Sequence, residues 1–363
     1  MAKTTPGGRT IQALRVGAAA TIVLAVVETW WLPHANLAVY TTHVVMTTHP
    51  NTAFQKGVER IVGRGAGILV GVLISSFVGE SKVLVIALEV AGLVGFFYAH
   101  FCGRMAYTYL SAGLYLNAIV QYNEVGPEVA WVNGGWMFLA IVIGVTGALL
   151  VGWLTGAEKD LRIDPGAGRL FPIQAEPLGR AAQVTATVLL AQYIFWAIDI
   201  PPDANTFALF AISITPDYRR MTKTGGVVLA GMLLSTVIAI ASLLVLNRIP
   251  RFPMLATIVF VVTFGASYAG QGKGAIGTYG YLVGLLTSMF IVRPLQDVET
   301  VAETGYNILA MYVYAVIAFV IGRLWVGLGI VPPELTPPHP ARTESIRAEG
   351  GGLVMPGIAA GQK

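Results

Sequence analysis

The sequence predicts an all-α fold: a polytopic membrane helix bundle of about 12 transmembrane helices, arranged as two parallel six-helix repeats with cytoplasmic N- and C-termini. The first observation is composition, because the 363-residue chain is 55% hydrophobic and 12% charged, with a mean hydropathy of +0.69. In soluble domains about a quarter of the residues are charged. The second is a succession of apolar runs close to the roughly 20 residues that span a bilayer as a helix. The third is a repetition of the first half of the chain in the second half.

The apolar runs place the predicted spans in order along the chain. The first run has a basic start but no A-x-A-like cleavage site before Pro33, so we interpret it as an uncleaved span. A cytoplasmic linker at residues 155–178 separates the repeats 1–154 and 179–330. Residues 331–363, rich in proline, glycine and charge, are predicted to form a disordered cytoplasmic tail. The predicted spans lie at about residues 11–32, 36–49, 61–78, 83–99, 105–121, 131–154, 180–198, 204–215, 225–247, 254–268, 276–292 and 304–330.

The positions of lysine and arginine predict the orientation of these spans. With the N-terminus inside, the cytoplasmic segments hold about 18 of the 23 basic residues and the outer loops hold about four. Cytoplasmic loops of membrane proteins carry an excess of lysine and arginine. Both termini are therefore predicted to be cytoplasmic, and the pI near 9.1 needs no nucleic-acid partner to explain it.

Matching residue pairs recur in the two halves of the chain in the same order. Three pairs share a spacing of 170 residues, and pairs nearer the start differ from it by small insertions. This colinear series indicates a tandem repeat, because chance would scatter the matches. Six spans return the chain to its starting side, so the repeats are predicted to lie parallel. The pairs are Tyr98-Ala99 with Tyr268-Ala269, Leu139-Ala140 with Leu309-Ala310, and Gly152 with Gly322.

Predicted spans 2 and 8 are unusually short, at about 14 and 12 residues. At 1.5 Å per residue, each covers only about 20 Å of a hydrocarbon core that is roughly 30 Å thick. Paired short spans in corresponding positions point to the binding site of a transporter. The alternative is that Pro33 and Pro50 do not mark the ends of span 2, and that each short helix continues into its flanks.

Charge is concentrated where span 2 leads into span 3. Lys56, Glu59, Arg60 and Arg64 fall within nine residues on the predicted cytoplasmic side. Arg220 belongs to a similar basic stretch between spans 8 and 9. Glycines follow both stretches and are predicted to permit close helix packing. These glycines are Gly63, Gly67 and Gly71 in the first repeat and Gly225 and Gly231 in the second.

Residues 13–74 resemble the hallmark segment of the fusaric acid resistance (FUSC) and aromatic acid exporter families. The shared pattern is an arginine-led first span, a short second span ending near a proline, a basic stretch, and then closely spaced glycines. Arg15, Pro50 and Arg60 fill these places, and Arg64 stands where a threonine is common. One departure is the short central linker, since many members of these families carry a sizeable cytoplasmic domain there.

The resemblance implies export of small amphipathic organic acids, such as aromatic carboxylates, across a cell inner membrane. Related plant proteins are anion channels, so passive conduction is the alternative. In both cases cations near the inner mouth would raise the local concentration of a carboxylate. The other interpretation, which we favour for Lys56, is that such residues fix topology and bind anionic lipid headgroups. The candidate pathway cations are Arg60, Arg64, Arg104, Arg220 and Lys273.

Ionisable residues inside the predicted spans are few, so each is informative. Glu89 lies near the middle of span 4, where a carboxyl removed from water would suit proton coupling; a structural hydrogen bond or ion pair is the alternative. Glu28 is a second candidate for coupling, unless it only reaches the outer interface. His43 and His49 in span 2 are pathway candidates because histidine can change charge near neutral pH.

Two tyrosines are candidates for contact with an aromatic substrate. Tyr109 and Tyr279 stand 170 residues apart, so the repeat predicts that they lie at similar depth in the membrane. Both could stack against an aromatic ring. The alternative for these and for the neighbouring aromatic residues is ordinary helix packing.

A membrane enzyme is the third class of function that the sequence must be tested against. The chain has no H-E-x-x-H, Walker A or paired-carboxylate motif, and its histidines do not fall at familiar metal-ligand spacings. We therefore predict no enzymatic activity, no metal and no cofactor. The expected partners are a small organic acid and the lipid bilayer, with a periplasmic adaptor protein and a homo-oligomer left open.

Overall fold

A computed structural model describes residues 6–47, 50–103, 105–122, 126–156, 163, 170–198, 218–272, 274–292 and 301–332. In these ranges the chain forms eleven α-helices and no strand. The predicted span at 204–215 lies outside the described residues. The helices are α1 (Pro6–Thr29), α2 (Ala35–Met46), α3 (Pro50–Val78), α4 (Lys82–Phe101), α5 (Ala106–Tyr122), α6 (Pro127–Leu154), α7 (Ala175–Ala197), α8 (Tyr218–Arg248), α9 (Phe252–Gly270), α10 (Ala275–Ile291) and α11 (Val301–Gly327).

Seven of the described helices are long and apolar enough to cross a membrane. A further apolar helix, α10, has 17 residues. Large apolar side chains such as Phe77 and Val237 are exposed on the outside of the bundle, as expected of a surface that faces lipid. The chain is therefore a multi-pass helical membrane protein. The seven stretches are Gly7–Thr29, Ala53–Val78, Lys82–Phe101, Pro127–Leu154, Gly225–Arg248, Phe252–Gly270 and Ile308–Gly327.

Helix α3 begins well before the position that its apolar run predicts. We expected span 3 to start at about residue 61, but the helix starts at Pro50. Proline is favoured in the first turn of a helix, because its missing N–H would have no intrahelical partner there. The charged stretch is therefore helical, and its cations lie inside the bundle. The preceding helix, α2, has 12 residues, of which all but Asn36 are buried.

Helices α3 and α5 pack with their backbones almost in contact. A Cβ atom added at Gly63 would lie 2.2 Å from the carbonyl oxygen of Thr108, and one at Gly67 would lie 2.1 Å from that of Ala112. Side chains cannot be accommodated at such distances, so these glycines bring the two helices together. A Cβ atom at Gly71 would lie 2.8 Å from Cβ of Ile119, which is also on α5.

A similar row of small residues lies on α8, which packs against α10. Gly231, Ser235 and Ala239 are spaced by four residues and are all buried. A Cβ atom at Gly231 would lie 2.7 Å from the Leu282 side chain. Gly231 is the fourteenth residue of α8, as Gly63 is of α3. In contrast, a Cβ atom at Gly225 would meet no described atom within 4 Å.

The first and last parts of the chain interlock through two antiparallel helix pairs. In one pair, α1 packs against α9, and Gln271 at the end of α9 donates a hydrogen bond to the Arg9 carbonyl near the start of α1. In the other pair, α4 packs against α7, and Tyr98 near the end of α4 donates to the Leu170 carbonyl just before α7. Helix α10 also contacts α2. The bundle is therefore not divided into two separate halves.

We predict that Gly67→Ala destabilises the protein, because the new methyl group would overlap the α5 backbone. Overpacking of this kind costs about 1–3 kcal/mol or more. The measurement is the thermal unfolding midpoint of the detergent-purified protein, which should fall by several degrees.

The matched control is Gly95→Ala, at a helical glycine whose added Cβ would meet no described atom within 4 Å. This variant should unfold at the wild-type temperature or slightly above it, because alanine favours the helix. Equal stability of the two variants would contradict the close α3–α5 contact.

Candidate functional site

Three cationic side chains follow one another along the interior face of α3. Lys56, Arg60 and Arg64 are spaced by four residues, so their side chains lie on one side of the helix. Their exposed fractions are 6%, 0% and 1%. With a rise of 1.5 Å per residue, Arg64 lies about 21 Å from either end of α3. Positive charge therefore extends from near the start of α3 to its middle, without facing lipid.

Tyrosine rings from two neighbouring helices surround these cations. Tyr40 of α2 lies between the two arginines, with its ring centroid 4.6 Å from Cζ of Arg60 and 5.6 Å from Cζ of Arg64. Tyr115 of α5 lies 4.6 Å from Cζ of Arg64. Tyr107 of α5 lies 5.3 Å from Nζ of Lys56, and its hydroxyl accepts a hydrogen bond from Arg60. We call Lys56, Arg60, Arg64, Tyr40, Tyr107 and Tyr115 the cation–tyrosine cluster.

The two arginines of the cluster have more hydrogen-bond donors than partners. Arg64 donates one hydrogen bond to Oγ1 of Thr41 at 3.1 Å, but its Nε is buried without a partner in the described part of the chain. The same holds for Nε and Nη2 of Arg60. In that part of the chain neither guanidinium has a carboxylate within salt-bridge distance. The only acid of α3, Glu59, accepts a hydrogen bond from Gln55.

A third buried arginine, Arg180, has the carboxylate and carbonyl partners that a buried guanidinium group usually has. Arg180 of α7 forms a salt bridge to Glu176, with 2.9 Å between Nη2 and Oε1, and also donates to the Pro332 carbonyl. Burying a charge costs several kcal/mol unless it is paired and hydrogen-bonded. Arg60 and Arg64 have no such counterion among the described residues, and a guanidinium fork matches the geometry of a carboxylate or phosphate. The cluster can therefore bind an anion.

Helix α10, from the later part of the chain, lies beside the cation–tyrosine cluster. The ring of His43 on α2 lies against Gly284, where an added Cβ would be 2.3 Å from Nε2 of the histidine. His43 is fully buried, and neither ring nitrogen has a hydrogen-bond partner among the described residues. Tyr281, one turn before Gly284, is within electrostatic range of Arg60 and Tyr40. Four helices, α2, α3, α5 and α10, thus contribute to this region.

A second buried polar group lies on the other side of α5. Nδ2 of Asn117 donates to Oε1 of Glu89 on α4 at 2.8 Å and to Oε1 of Gln192 on α7 at 2.6 Å. Nε2 of Gln121 donates to Oδ1 of Asn117 at 3.0 Å. Glu89 is 1% exposed, and its Oε2 has no partner in the described part of the chain. We call Glu89, Asn117, Gln121 and Gln192 the carboxyl–amide cluster.

The structure places the predicted site residues in different surroundings. Arg60 and Arg64 come together at the ring of Tyr40, and His43 lies one turn later on α2, whereas Arg104, His49 and Lys273 lie outside the described residues. Arg220 is the third residue of α8, while Arg60 is the eleventh of α3. Tyr109 and Tyr279 are half-buried. Glu28 is buried near the end of α1.

Several residues of the two clusters were not predicted from the sequence. Lys56, which we assigned to the membrane surface, is buried beside Tyr107. The four-residue spacing of the three α3 cations was a signal for a shared helix face. Tyr40, Asn117 and Gln192 gave no comparable signal, because an isolated tyrosine or amide in an apolar run has many structural uses.

Comparison with known protein families, curated proteins and solved structures finds no match. The resemblance to the FUSC family therefore stays a prediction. Among the described residues, no group of three or more His, Cys, Asp or Glu side chains could hold a metal ion. What the site can do chemically follows from the two clusters themselves.

We predict that Arg64→Met stabilises the protein when no anion is present, because it removes a buried charge that has no counterion in the part of the chain that the structure describes. Replacing buried ionic groups by apolar side chains is often neutral or stabilising by about 1–4 kcal/mol. The same variant should lose any stabilisation that the wild type gains from 4-hydroxybenzoate. The measurement is the thermal unfolding midpoint with and without this anion.

Arg180→Met provides the contrast, since it removes a buried arginine that is paired with Glu176. It should lower the unfolding midpoint and keep the response to the anion. If Arg64→Met were as destabilising as Arg180→Met and still responded to the anion, Arg64 would be structural.

Proposed function

We propose that this protein carries small organic anions across the membrane and that the cation–tyrosine cluster is their binding site. One observation supports the proposal above all: two guanidinium groups are buried at mid-helix without a carboxylate partner in the described chain. Ionisable residues within a membrane bundle usually mark a substrate or ion pathway. An anion that leaves water must replace its hydration shell, and Arg60 and Arg64 offer unmet N–H donors for this purpose.

The tyrosines favour an aromatic carboxylate as the proposed substrate. A carboxylate on Arg60 or Arg64 would leave the apolar part of the molecule near the rings of Tyr40, Tyr107 and Tyr115. Aromatic rings gain about 0.5–1.5 kcal/mol from offset or edge-to-face contact beyond the area that they bury. The direction of transport, export across a cell inner membrane, comes from the resemblance to the FUSC and aromatic acid exporter families.

We further propose that the bundle consists of two parallel six-span repeats. One line of support is that α4 and α9 start 170 residues apart, at Lys82 and Phe252. Support also comes from equivalent contacts: α3 packs on α5 as α8 packs on α10, and α1 on α9 as α7 on α4. The site itself is not duplicated. At the helix positions of Arg60 and Arg64, α8 has the buried apolar residues Val228 and Met232.

Proton coupling through Glu89 is our proposal for the driving force. Glu89 is the one acidic residue of α4, and its side chain is 1% exposed. Its Oε2 has no hydrogen-bond partner among the described residues. A carboxyl in such surroundings can take up a proton, which removes the cost of burying its charge. Enzymatic activity, a cofactor and a metal are not part of the proposal, and a periplasmic adaptor or a homo-oligomer would extend it rather than replace it.

A passive anion channel is the second candidate. The observation that favours it is that Glu89 is hydrogen-bonded within the carboxyl–amide cluster, apart from the arginines, and so could be structural. An inside-negative membrane potential also drives an anion outward, by about 2.3 kcal/mol per charge for each 100 mV. Export of an anion therefore needs no proton. The two candidates share the cation–tyrosine cluster and differ in the role of Glu89.

We predict that Arg60→Gln and Arg64→Gln each reduce the transport of 4-hydroxybenzoate by at least about tenfold. Hydrogen bonds to charged groups contribute about 1.5–3 kcal/mol, and each variant loses one charged partner for the carboxylate. The measurement is uptake of the radiolabelled anion into proteoliposomes, with the amount of inserted protein determined for each variant.

Arg248→Gln is the control, because it removes the same charge from an exposed position at the end of α8. It should transport like the wild type. Uptake by either cluster variant at the wild-type rate would contradict the proposed site. A proton gradient that accelerates uptake would favour the coupled transporter, and the same rate with and without the gradient would favour the channel.

A further inference from the structure

Helix α5 lies between the two polar clusters and contributes to both. Its side toward α3 carries Tyr115, whose ring lies against Arg64. Asn117 is two residues later, about 200° around the helix, and bonds Glu89 on α4. The two residues differ by only about 3 Å along the helix axis. Arg64 and Glu89 are therefore at similar depth on opposite sides of one helix.

Helices α3 and α5 are in close backbone contact on either side of Arg64. Cβ atoms at Gly63 and Gly67 would lie 2.2 Å and 2.1 Å from carbonyl oxygens of α5, so the two backbones are in direct contact. Closely packed interfaces switch between discrete arrangements rather than deforming gradually. A shift of α5 at Asn117 would also move Tyr115, two residues earlier on the same helix, relative to Arg64.

Asn117 is also a link between three helices. Its Nδ2 bonds Glu89 of α4 and Gln192 of α7, while its Oδ1 accepts a bond from Gln121 one turn later on α5. A hydrogen bond to an ionised carboxylate is roughly twice as strong as one between neutral groups. Oε2 of Glu89 has no hydrogen-bond partner among the described residues and can take up a proton. Protonation there would weaken the hydrogen bond from Asn117 to Glu89 relative to the one from Asn117 to Gln192.

We propose that Asn117 is a positioning residue that couples the protonation of Glu89 to anion binding at Arg64 through α5. This inference rests on the proposed function and adds its coupling route. An ionised Glu89 holds Asn117, and with it the position of the Tyr115 ring against Arg64. Protonation loosens α5 at Asn117, so that this ring can give way to an anion. The anion therefore binds more tightly when Glu89 carries a proton, and by reciprocity the bound anion favours proton uptake.

The other groups around Glu89 do not provide a simpler route. Gln192 and Tyr193 face it from α7, and Tyr314 is within electrostatic range from α11. No cation lies within 4.0 Å of its carboxylate in the described part of the chain. The cations of α3, which also packs on α4, contact tyrosines of α2 and α5 instead. Asn117 is thus the hydrogen-bond partner of Glu89 on the helix that lines the anion site.

The test measures the half-saturating concentration of 4-hydroxybenzoate in proteoliposomes that have equal pH on both sides. The carboxyl of this probe stays ionised between pH 6 and pH 8, so a pH response belongs to the protein. In the wild type we expect this concentration to be lower at pH 6 than at pH 8 by about fivefold or more, the usual lower limit of coupling between sites. Glu89→Gln should give the same value at both pH values.

Asn117→Leu is the decisive variant, because it removes the link and keeps Glu89. We expect the pH effect on the half-saturating concentration to fall below about twofold while the maximum rate stays within about threefold of the wild type. Asn133→Leu, the same substitution on α6 at a residue that bonds His34, is the control and should keep the wild-type pH effect. A wild-type pH effect in Asn117→Leu would overturn the inference.

A further variant keeps the test decisive if Asn117→Leu does not fold. Asn117→Asp has nearly the same shape, and two adjacent carboxyls hold a shared proton more tightly than one does. The midpoint of the pH profile should then move toward higher pH, and an unchanged midpoint would overturn the inference. The two proposals fail differently: equal transport by wild type and Arg64→Gln rejects the binding site, whereas arginine-dependent transport without a pH effect rejects only the coupling route.

Discussion

Two guanidinium groups, buried at mid-helix with no carboxylate partner among the described residues, are the constraint on which the other features of the site depend. Tyrosine ring faces from α2 and α5 and the hydroxyl of Thr41 contact these charges in place of water. These contacts offset part of the cost of burying the two guanidinium groups. Tyr107 and Tyr115 reach the cations because α5 lies so close to α3. That approach in turn requires glycine at Gly63 and Gly67, where a methyl group would overlap the α5 backbone. The charged and the glycine residues of α3 therefore form one structural unit.

The sequence predicted the class of the fold better than it predicted the site. Long apolar runs identify membrane helices because length and composition alone decide whether a segment can span a bilayer. The predicted start of α3 was wrong by eleven residues, because we interpreted its charged stretch as a surface loop. For the same reason we assigned Lys56 to the lipid interface, although it is buried. Only the tertiary structure brings Tyr40 of α2 between Arg60 and Arg64. The contact of Asn117 with Glu89 likewise joins residues 28 positions apart.

The site draws unequally on the two parts of the chain. Helix α8 resembles α3 in its row of small residues, yet it has Val228 and Met232 at the helix positions of Arg60 and Arg64. The later part contributes α10, through Gly284 beside His43, and α7, through Gln192 beside Glu89. The similar helix packing thus supplies a scaffold, while the described cations of the cluster all come from α3. On the proposed function, this arrangement corresponds to one anion site in the described chain instead of two equivalent ones.

The absence of a built-in counterion in the described chain suits a site that must both bind and release an anion. A carboxylate at salt-bridge distance from Arg64 would have to be displaced by every incoming anion, at a cost of several kcal/mol. A completely unsatisfied pair of guanidinium groups would instead hold the anion too tightly for it to leave. Tyrosine rings stabilise such cations by about 0.5–2 kcal/mol each. A hydroxyl such as that of Thr41 adds about 1.5–3 kcal/mol, and neither group neutralises the charge. Conduction and transport both need binding of this intermediate strength.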